Sequence, residues 1–145
     1  MMVVLRKPHE SRGSHLATTL VRKVRTPAPT VDALDRAIAC ARSAADSKGK
    51  DVLVLDMRSV TPIYDYFVIA TGASRRQMHA IAEDADAILH SMGDRRLGIE
   101  GYESSRWIVQ DYGDLVVHVF DPPAREYYAL EDLWADAPRV DWERK

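Results

Sequence analysis

Asp84-Ala85-Asp86, ten residues after Thr71-Gly72-Ala73-Ser74, is the pattern in this chain that comes nearest to catalytic machinery. Enzymes that transfer nucleotidyl groups use a Gly-Ser turn to hold a triphosphate and a D-x-D pair to hold two metal ions, which stabilise the attacking and leaving oxygens. Two carboxylates meet a metal pair only when they share a face. Residues i and i+2 do so in a strand, whereas in a helix they point roughly 200° apart. Asp84 and Asp86 lie inside a continuous helical pattern, and Ala73 stands where such enzymes usually carry Gly or Ser. The pair is expected to diverge, so no catalytic residue is assigned.

His79, Glu83, Asp86 and His90 form a second pattern, spaced i, i+4, i+7 and i+11. A metal would need partners from another helix, and a solvated helix face with weak i,i+4 pairs accounts for the spacing without one. His9, His15 and His118 match no metal-ligand spacing, and no phosphate-binding loop, nucleophile elbow or Cys-His pair is present. No metal, cofactor or small-molecule substrate is expected.

The third pattern is Trp107–Phe120, two apolar runs around Tyr112-Gly113. With those two residues as the loop, Asp111 pairs with Asp114, Val109 with Val116 and Trp107 with His118. One face then carries Trp107, Val109, Asp111, Asp114, Val116, His118 and Phe120; the other carries Ile108, Gln110, Leu115, Val117 and Val119. The second face is nearly all aliphatic and suits packing under helices. The first mixes aromatics with carboxylates, as an interface with an apolar anchor and an acidic rim would. A plain core with turn acids fits the same residues.

Elements that would position these patterns follow from periodicity. Thr30 is a good N-cap, and Val31, Leu34, Ile38, Ala41 and Ala45 recur at helical spacing until Lys48-Gly49. Val52–Leu55 reads as a short strand and Tyr66–Ala70 as a central one, apolar on both faces. Ser74 can cap a helix ending at Met92, with Met78, Ile81, Ala85, Ile88, Leu89 and Met92 as its core stripe. A short strand at Gly98-Ile99-Glu100, the hairpin, and a last helix opened by Pro122-Pro123 and ending near Trp134 complete the order α-β-β-α-β-β-β-α. The expected fold is α/β, a mixed sheet of about five strands with helices packed on it.

Composition bounds what such a fold can do. With 145 residues, 46% of them hydrophobic, the chain suits one domain with a sizeable core. No apolar run approaches the roughly 18 residues that span a bilayer, and the single cysteine, Cys40, suits a reducing compartment. The net charge of −2 hides an asymmetry. Residues 1–30 hold six basic residues (Arg6, Lys7, Arg12, Arg22, Lys23, Arg25) and one acid, Glu10, which leaves 14 basic and 21 acidic residues for the rest. An acidic body disfavours nucleic acid and favours a basic protein partner. The basic arm has no apolar h-region, so it is no secretory signal; its Arg, Ser and Thr fit a disordered tail or an organelle transit peptide.

The body from Thr30 to Trp134 resembles the ribosomal silencing factor family, also called RsfS or Iojap. The matching blocks are Asp65–Gln77, Glu100-Gly101-Tyr102, Trp107-Ile108-Val109, Asp111–Asp114, Val116–Phe120, Arg125–Tyr128, Leu130-Glu131 and Leu133-Trp134, all in order. Tyr64 departs from the family's usual Thr or Ser. The resemblance implies a nucleotidyltransferase-like core without a catalytic site, and no enzyme. It also implies binding to the large ribosomal subunit through ribosomal protein L fourteen, a block on small-subunit joining, repression of translation, a part in large-subunit biogenesis, and a homodimer.

On that footing Trp107, Val109, Val116 and His118 are the expected apolar part of a docking face, with Asp111 and Asp114 meeting basic groups. Glu100, Tyr102, Arg125, Tyr128 and Glu131 border that face or brace the last helix. The expected domains are residues 1–29 as an arm, 30–135 as the silencing factor domain and 136–145 as a tail. A bacterial cytoplasm is the expected location, with an organelle as the alternative. Alternative functions are a nucleotidyltransferase-fold enzyme or an RNA-binding module acting through the arm.

Overall fold

The computed structural model describes residues 31–144. Within them the order is α1 (Ala33–Asp46), β1 (Lys50–Asp56), β2 (Tyr66–Thr71), α2 (Arg75–Ser91), β3 (Gly98–Glu100), β4 (Trp107–Asp111), β5 (Leu115–Phe120), α3 (Pro122–Tyr128) and α4 (Leu130–Leu133). The five strands make one mixed sheet in the order β1-β2-β5-β4-β3. Only β2 and β5 run parallel, and both are buried at every residue, as strands covered on two faces must be. The fold is the α/β arrangement expected.

Caps and turns set the element ends. The Ser74 hydroxyl accepts the Gln77 N–H at 3.1 Å and opens α2. Asp121 accepts the Ala124 N–H at 2.8 Å and opens α3, with proline in the first turn. The single last helix expected is two short ones, because Ala129 takes a left-handed conformation at φ 43. That kink folds Leu130 and Trp134, both buried, beneath the sheet. The expected cap at Thr30 lies outside the described residues.

Each sheet face has its own core. Alternate residues Val54, Tyr66, Val68, Ala70, Ile108, Leu115, Val117 and Val119 pack under α1 and α2. Their neighbours Leu55, Phe67, Ile69, Trp107, Val109, Val116 and Phe120 pack under Ala124, Leu130 and Trp134. In α1 the buried stripe is Arg36, Ala37, Cys40, Ala41 and Ala44 rather than the one expected, and Leu34 is 39% exposed. Short side chains line the stripe, and the one long member, Arg36, is buried because it is paired.

Residues 136–144, expected as a tail, return to the sheet. The Val140 N–H donates to the Val54 carbonyl at 2.8 Å, the Asp56 N–H to the Pro138 carbonyl at 2.8 Å, and the Trp142 indole to the Val52 carbonyl at 3.0 Å. This segment covers the outer edge of β1, whose unpaired backbone groups would otherwise be open to another strand.

Candidate functional site

The β4–β5 hairpin is longer at its tip than expected. Observed pairs are Trp107 with Phe120, Val109 with His118 and Asp111 with Val116, two residues away from the anticipated register. The Tyr112 N–H donates to the Leu115 carbonyl, Gly113 sits at φ 95, and its N–H donates to the Asp111 carboxylate at 2.8 Å. Asp114 is engaged elsewhere: its carbonyl accepts the Asp65 and Tyr66 N–H groups, and its carboxylate meets Arg36. A shift of two keeps the alternation, so the two expected faces survive.

The aromatic half of the expected site lies at the open end of the hairpin, and it is core. Trp107, Val109, Val116 and His118 are all under 8% exposed, because α3, α4 and Trp134 close over them. That part of the expected docking face is therefore covered in the free chain. Trp107 donates its indole N–H to His118 Nδ1 at 3.1 Å and lies 5.0 Å from the Phe120 ring and 4.7 Å from that of Tyr128. Burial pushes the His118 pKa down to about 3, so the ring is neutral. Tyr128 stands on this stack 42% exposed, and Tyr127 beside it is 81% exposed.

Arg125 fixes the helix that carries the two tyrosines. It is 8% exposed, donates to the Thr71 hydroxyl at 2.8 Å and pairs with Glu131 at 3.2 Å. It therefore braces α3 and α4 against the end of β2; on these two helices Glu126 and Asp132 remain exposed, and half-buried Glu131 is engaged by Arg125. Two exposed tyrosines thus sit on α3, and α3 and α4 also expose Glu126 and Asp132.

The acidic half of the expected site lies at the tip, about 14 Å away along the strand. Arg36 holds Asp114 in a two-point contact, at 2.6 and 3.2 Å, and also pairs with Asp94. Burial opposes the Arg36 charge, yet the two carboxylates outweigh it and raise its pKa. Burial in turn raises Asp94, against the pull of Arg36. Asp114 is thus part of a structural ion group, and Asp111 closes the turn. The structure does not bring Asp111 and Asp114 together with Trp107 in one patch.

Glu100 pairs with Val109 across β3 and β4, so it shares the aromatic face. Tyr102 belongs to the opposite side: its ring stacks on His79 at 3.9 Å and its hydroxyl donates to Glu83. It forms one wall of an open cleft of about 420 Å³ with Glu83, Asp86, Arg96, Ile99 and Glu103. Gly101 sits at φ 79 with the Trp107 carbonyl only 2.0 Å from where a Cβ would be, so this turn admits no side chain. Asp84 and Asp86 diverge as expected, Asp84 accepting from Ser47 at 2.7 Å and Asp86 from the Tyr112 hydroxyl at 2.7 Å.

Two elements escaped the sequence reading. Tyr127 was not singled out, although adjacent tyrosines on a helix point about 100° apart and cannot both be buried on one side. Arg36 carried no local signal, since its partners stand 58 and 78 residues away.

Comparison with known proteins accounts for this arrangement. Residues 30–145 match the family described as "Ribosomal silencing factor during starvation", RsfS. "Ribosomal silencing factor RsfS" of Halalkalibacterium halodurans is 43% identical over 98 residues, which cover 68% of this chain and 84% of that protein. "Mitochondrial assembly of ribosomal large subunit protein 1" of Mus musculus is 34% identical over 88 residues, 59% of this chain and 39% of that one. A crystal structure from Chromobacterium violaceum superposes with a TM-score of 0.70 at 36% identity, covering 72% of this chain and 88% of that chain. By sequence across the described body and by fold, the chain belongs to the RsfS family of ribosomal silencing factors, which are not enzymes.

Proposed function

We propose that this protein binds the large ribosomal subunit through ribosomal protein L fourteen, prevents the small subunit from joining, and so represses translation. Support comes from the family, and from a relative whose name ties it to large-subunit assembly, which extends the proposal to subunit biogenesis. The observation that carries the reading is the pair Tyr127 and Tyr128, exposed aromatics seated on the Trp107–Phe120 stack. Large aromatics on a rigid support, on helices that also expose Glu126 and Asp132, suit a basic protein surface. Glu100 lies on the same sheet face as that support. Trp107, Val109, Val116, His118 and Arg125 support the patch from below, Asp111 and Asp114 hold the hairpin tip, and Tyr102 shapes the cleft on the other side.

The greater identity to a bacterial relative than to the mitochondrial one favours a bacterial cytoplasm. A homodimer would use an exposed surface of its own or compete for the tyrosine patch.

Co-sedimentation with separated large and small subunits, at low and moderate salt, tests the proposal. Wild type is expected with large subunits only. Tyr127→Ala combined with Tyr128→Ala should weaken that binding at least tenfold, about 1.4 kcal/mol. Undiminished binding by the double variant would remove the patch from the interface. A chain lacking residues 1–29 should bind as the full chain does, and its failure would move recognition to the arm. Sedimentation velocity of the free protein reads the dimer directly.

A further inference from the structure

His118 is fully buried and holds one polar atom, Nε2, that has no hydrogen-bond partner. Its other nitrogen, Nδ1, accepts the Trp107 indole N–H. In a neutral imidazole an accepting Nδ1 places the proton on Nε2, so the orphan is a buried donor. A donor without an acceptor destabilises a core, and a residue selected for packing alone would be apolar. The Phe67 ring, 4.7 Å away and nearly edge-on, and the Phe120 ring leave an aromatic setting in which phenylalanine or leucine would fit better. What His118 adds over either is the acceptor for Trp107.

That acceptor has a directional effect. Terminal torsions of aromatic side chains have broad, roughly two-fold preferences, so packing restrains the plane of an indole more than which edge faces inward. A hydrogen bond from the indole N–H selects one edge. Trp107 in turn contacts Tyr128, and Tyr128 meets the Tyr127 ring at 5.0 Å in a near-perpendicular arrangement. A continuous series of ring contacts therefore runs from the sheet centre to the surface: His118, Trp107, Tyr128, Tyr127.

We propose that His118 is a positioning residue for the docking surface: through the Trp107 indole it fixes how Tyr128 and Tyr127 are presented to the large subunit. It touches no partner itself. The proposal rests on the reading that the tyrosine patch meets the large subunit, but its first link is measurable without ribosomes.

The test compares His118→Leu, which removes the acceptor at similar size, with His118→Asn, whose side-chain oxygen replaces Nδ1. Trp107→Phe removes the donor and keeps a ring. Each full-length variant is followed by thermal melting, by the NMR signals of the Trp107 indole N–H and the Tyr128 ring, and by affinity for purified large subunits. Cooperative melting is expected in all three. His118→Leu should shift the indole and Tyr128 signals and weaken binding about tenfold, while His118→Asn restores most of both. If His118→Leu does not fold, Trp107→Phe decides, with displaced Tyr128 signals and a similar loss of affinity expected. Unmoved Tyr128 signals in the folded acceptor-less or donor-less variant overturn the positioning role, as does a loss that His118→Asn fails to restore. Moved Tyr128 signals with wild-type affinity overturn the link to binding. Undiminished binding by the double tyrosine variant instead locates the failure in the docking reading.

Discussion

The two ends of the β4–β5 hairpin are held in opposite ways. At the open end Trp107, His118 and Phe120 stack beneath a thin cover of two short helices, and the stack continues outward to exposed tyrosines. At the tip, Arg36 of α1 ties Asp114 to Asp94 through charge and hydrogen bonds. The aromatic end is built from broad apolar contacts that extend to the surface, whereas at the ionic end one guanidinium holds two carboxylates. The lesson is that carboxylates and aromatics that alternate on one strand face need not form one site. Their partners across the fold decide which of them remain available.

Trp107→Ala breaks the aromatic end most severely. Replacing a buried Trp or Phe by Ala costs about 3–5 kcal/mol, and here the change also strips support from Tyr128 and leaves His118 Nδ1 without a donor. Urea unfolding should show a loss near 4 kcal/mol. A loss below about 1 kcal/mol would mean the indole is a surface residue after all, available to a partner without the cover of α3 and α4.

Arg36→Met comes next. Removing one member of a buried ion pair costs about 3–5 kcal/mol because the other charge stays behind. The lower figure, about 3 kcal/mol at pH 7, is expected, since Asp114 keeps some solvent and Asp94 can take up a proton. The sign with pH follows. Burial already raises Asp94 above its ordinary value, so its ionisation opposes folding, and the opposition is complete above the folded pKa. The Arg36→Met defect should therefore shrink as pH falls toward about 4. A defect that grows instead would show that Asp94 is not the stranded charge.

Most of the sheet was legible because its signals are local. Alternation in β4 and β5, the Ser74 and Asp121 caps, and the apolar run of β2 are each contained within a few residues. Even the misplaced register preserved the faces, since the error was an even number of residues. What sequence could not show was cover. Burial of Trp107 depends on the left-handed Ala129, which turns Leu130 and Trp134 under the sheet. The packing of residues 136–144 depends on the free edge of β1, up to 90 residues earlier in the chain. For the candidate site, residue types were legible and their availability was not. Tyr128 reads from sequence as bordering the face or bracing the last helix, Tyr127 has no local feature that sets it apart, and the Arg36 contact of Asp114 spans 78 residues.

His118 gives a smaller, pH-dependent contrast within the aromatic end. Its pKa is pushed down to about 3 by burial, against about 6.5 in the unfolded chain. The folded state thus gives up a proton that the unfolded chain binds. The neutral ring's contribution is fully present above about 6.5 and is lost as pH falls toward 3, at most about 1.4 kcal/mol per pH unit. Stability curves for wild type and His118→Asn should diverge between pH 7 and pH 4, with the variant less sensitive. Parallel curves would mean that His118 binds its proton equally well in the folded and unfolded chain, so that burial does not hold the ring neutral.

The finest test asks whether the two ends are independent. Substitutions more than about 7–10 Å apart with no shared partner add to within about 0.3–0.5 kcal/mol. Trp107 and Asp114 lie at opposite ends of the hairpin and have different partners: Trp107 touches His118, Phe120 and Tyr128, whereas Asp114 touches Arg36 and the backbone of Asp65 and Tyr66. Trp107→Phe and Asp114→Asn are mild enough to keep the fold, so their double-mutant cycle in urea should give a coupling below about 0.5 kcal/mol. The cycle also has a second reading. Phe67 and Tyr66 are adjacent on β2, with Phe67 packed against His118 at one face and the Tyr66 N–H on Asp114 at the strand start. Outside the hairpin itself, that strand joins the two ends by non-covalent contacts. A coupling above about 1 kcal/mol would show that strain passes between the ends, along the hairpin or through β2, and the ion group at the tip would then join Arg125 and His118 among the determinants of how the tyrosines are held.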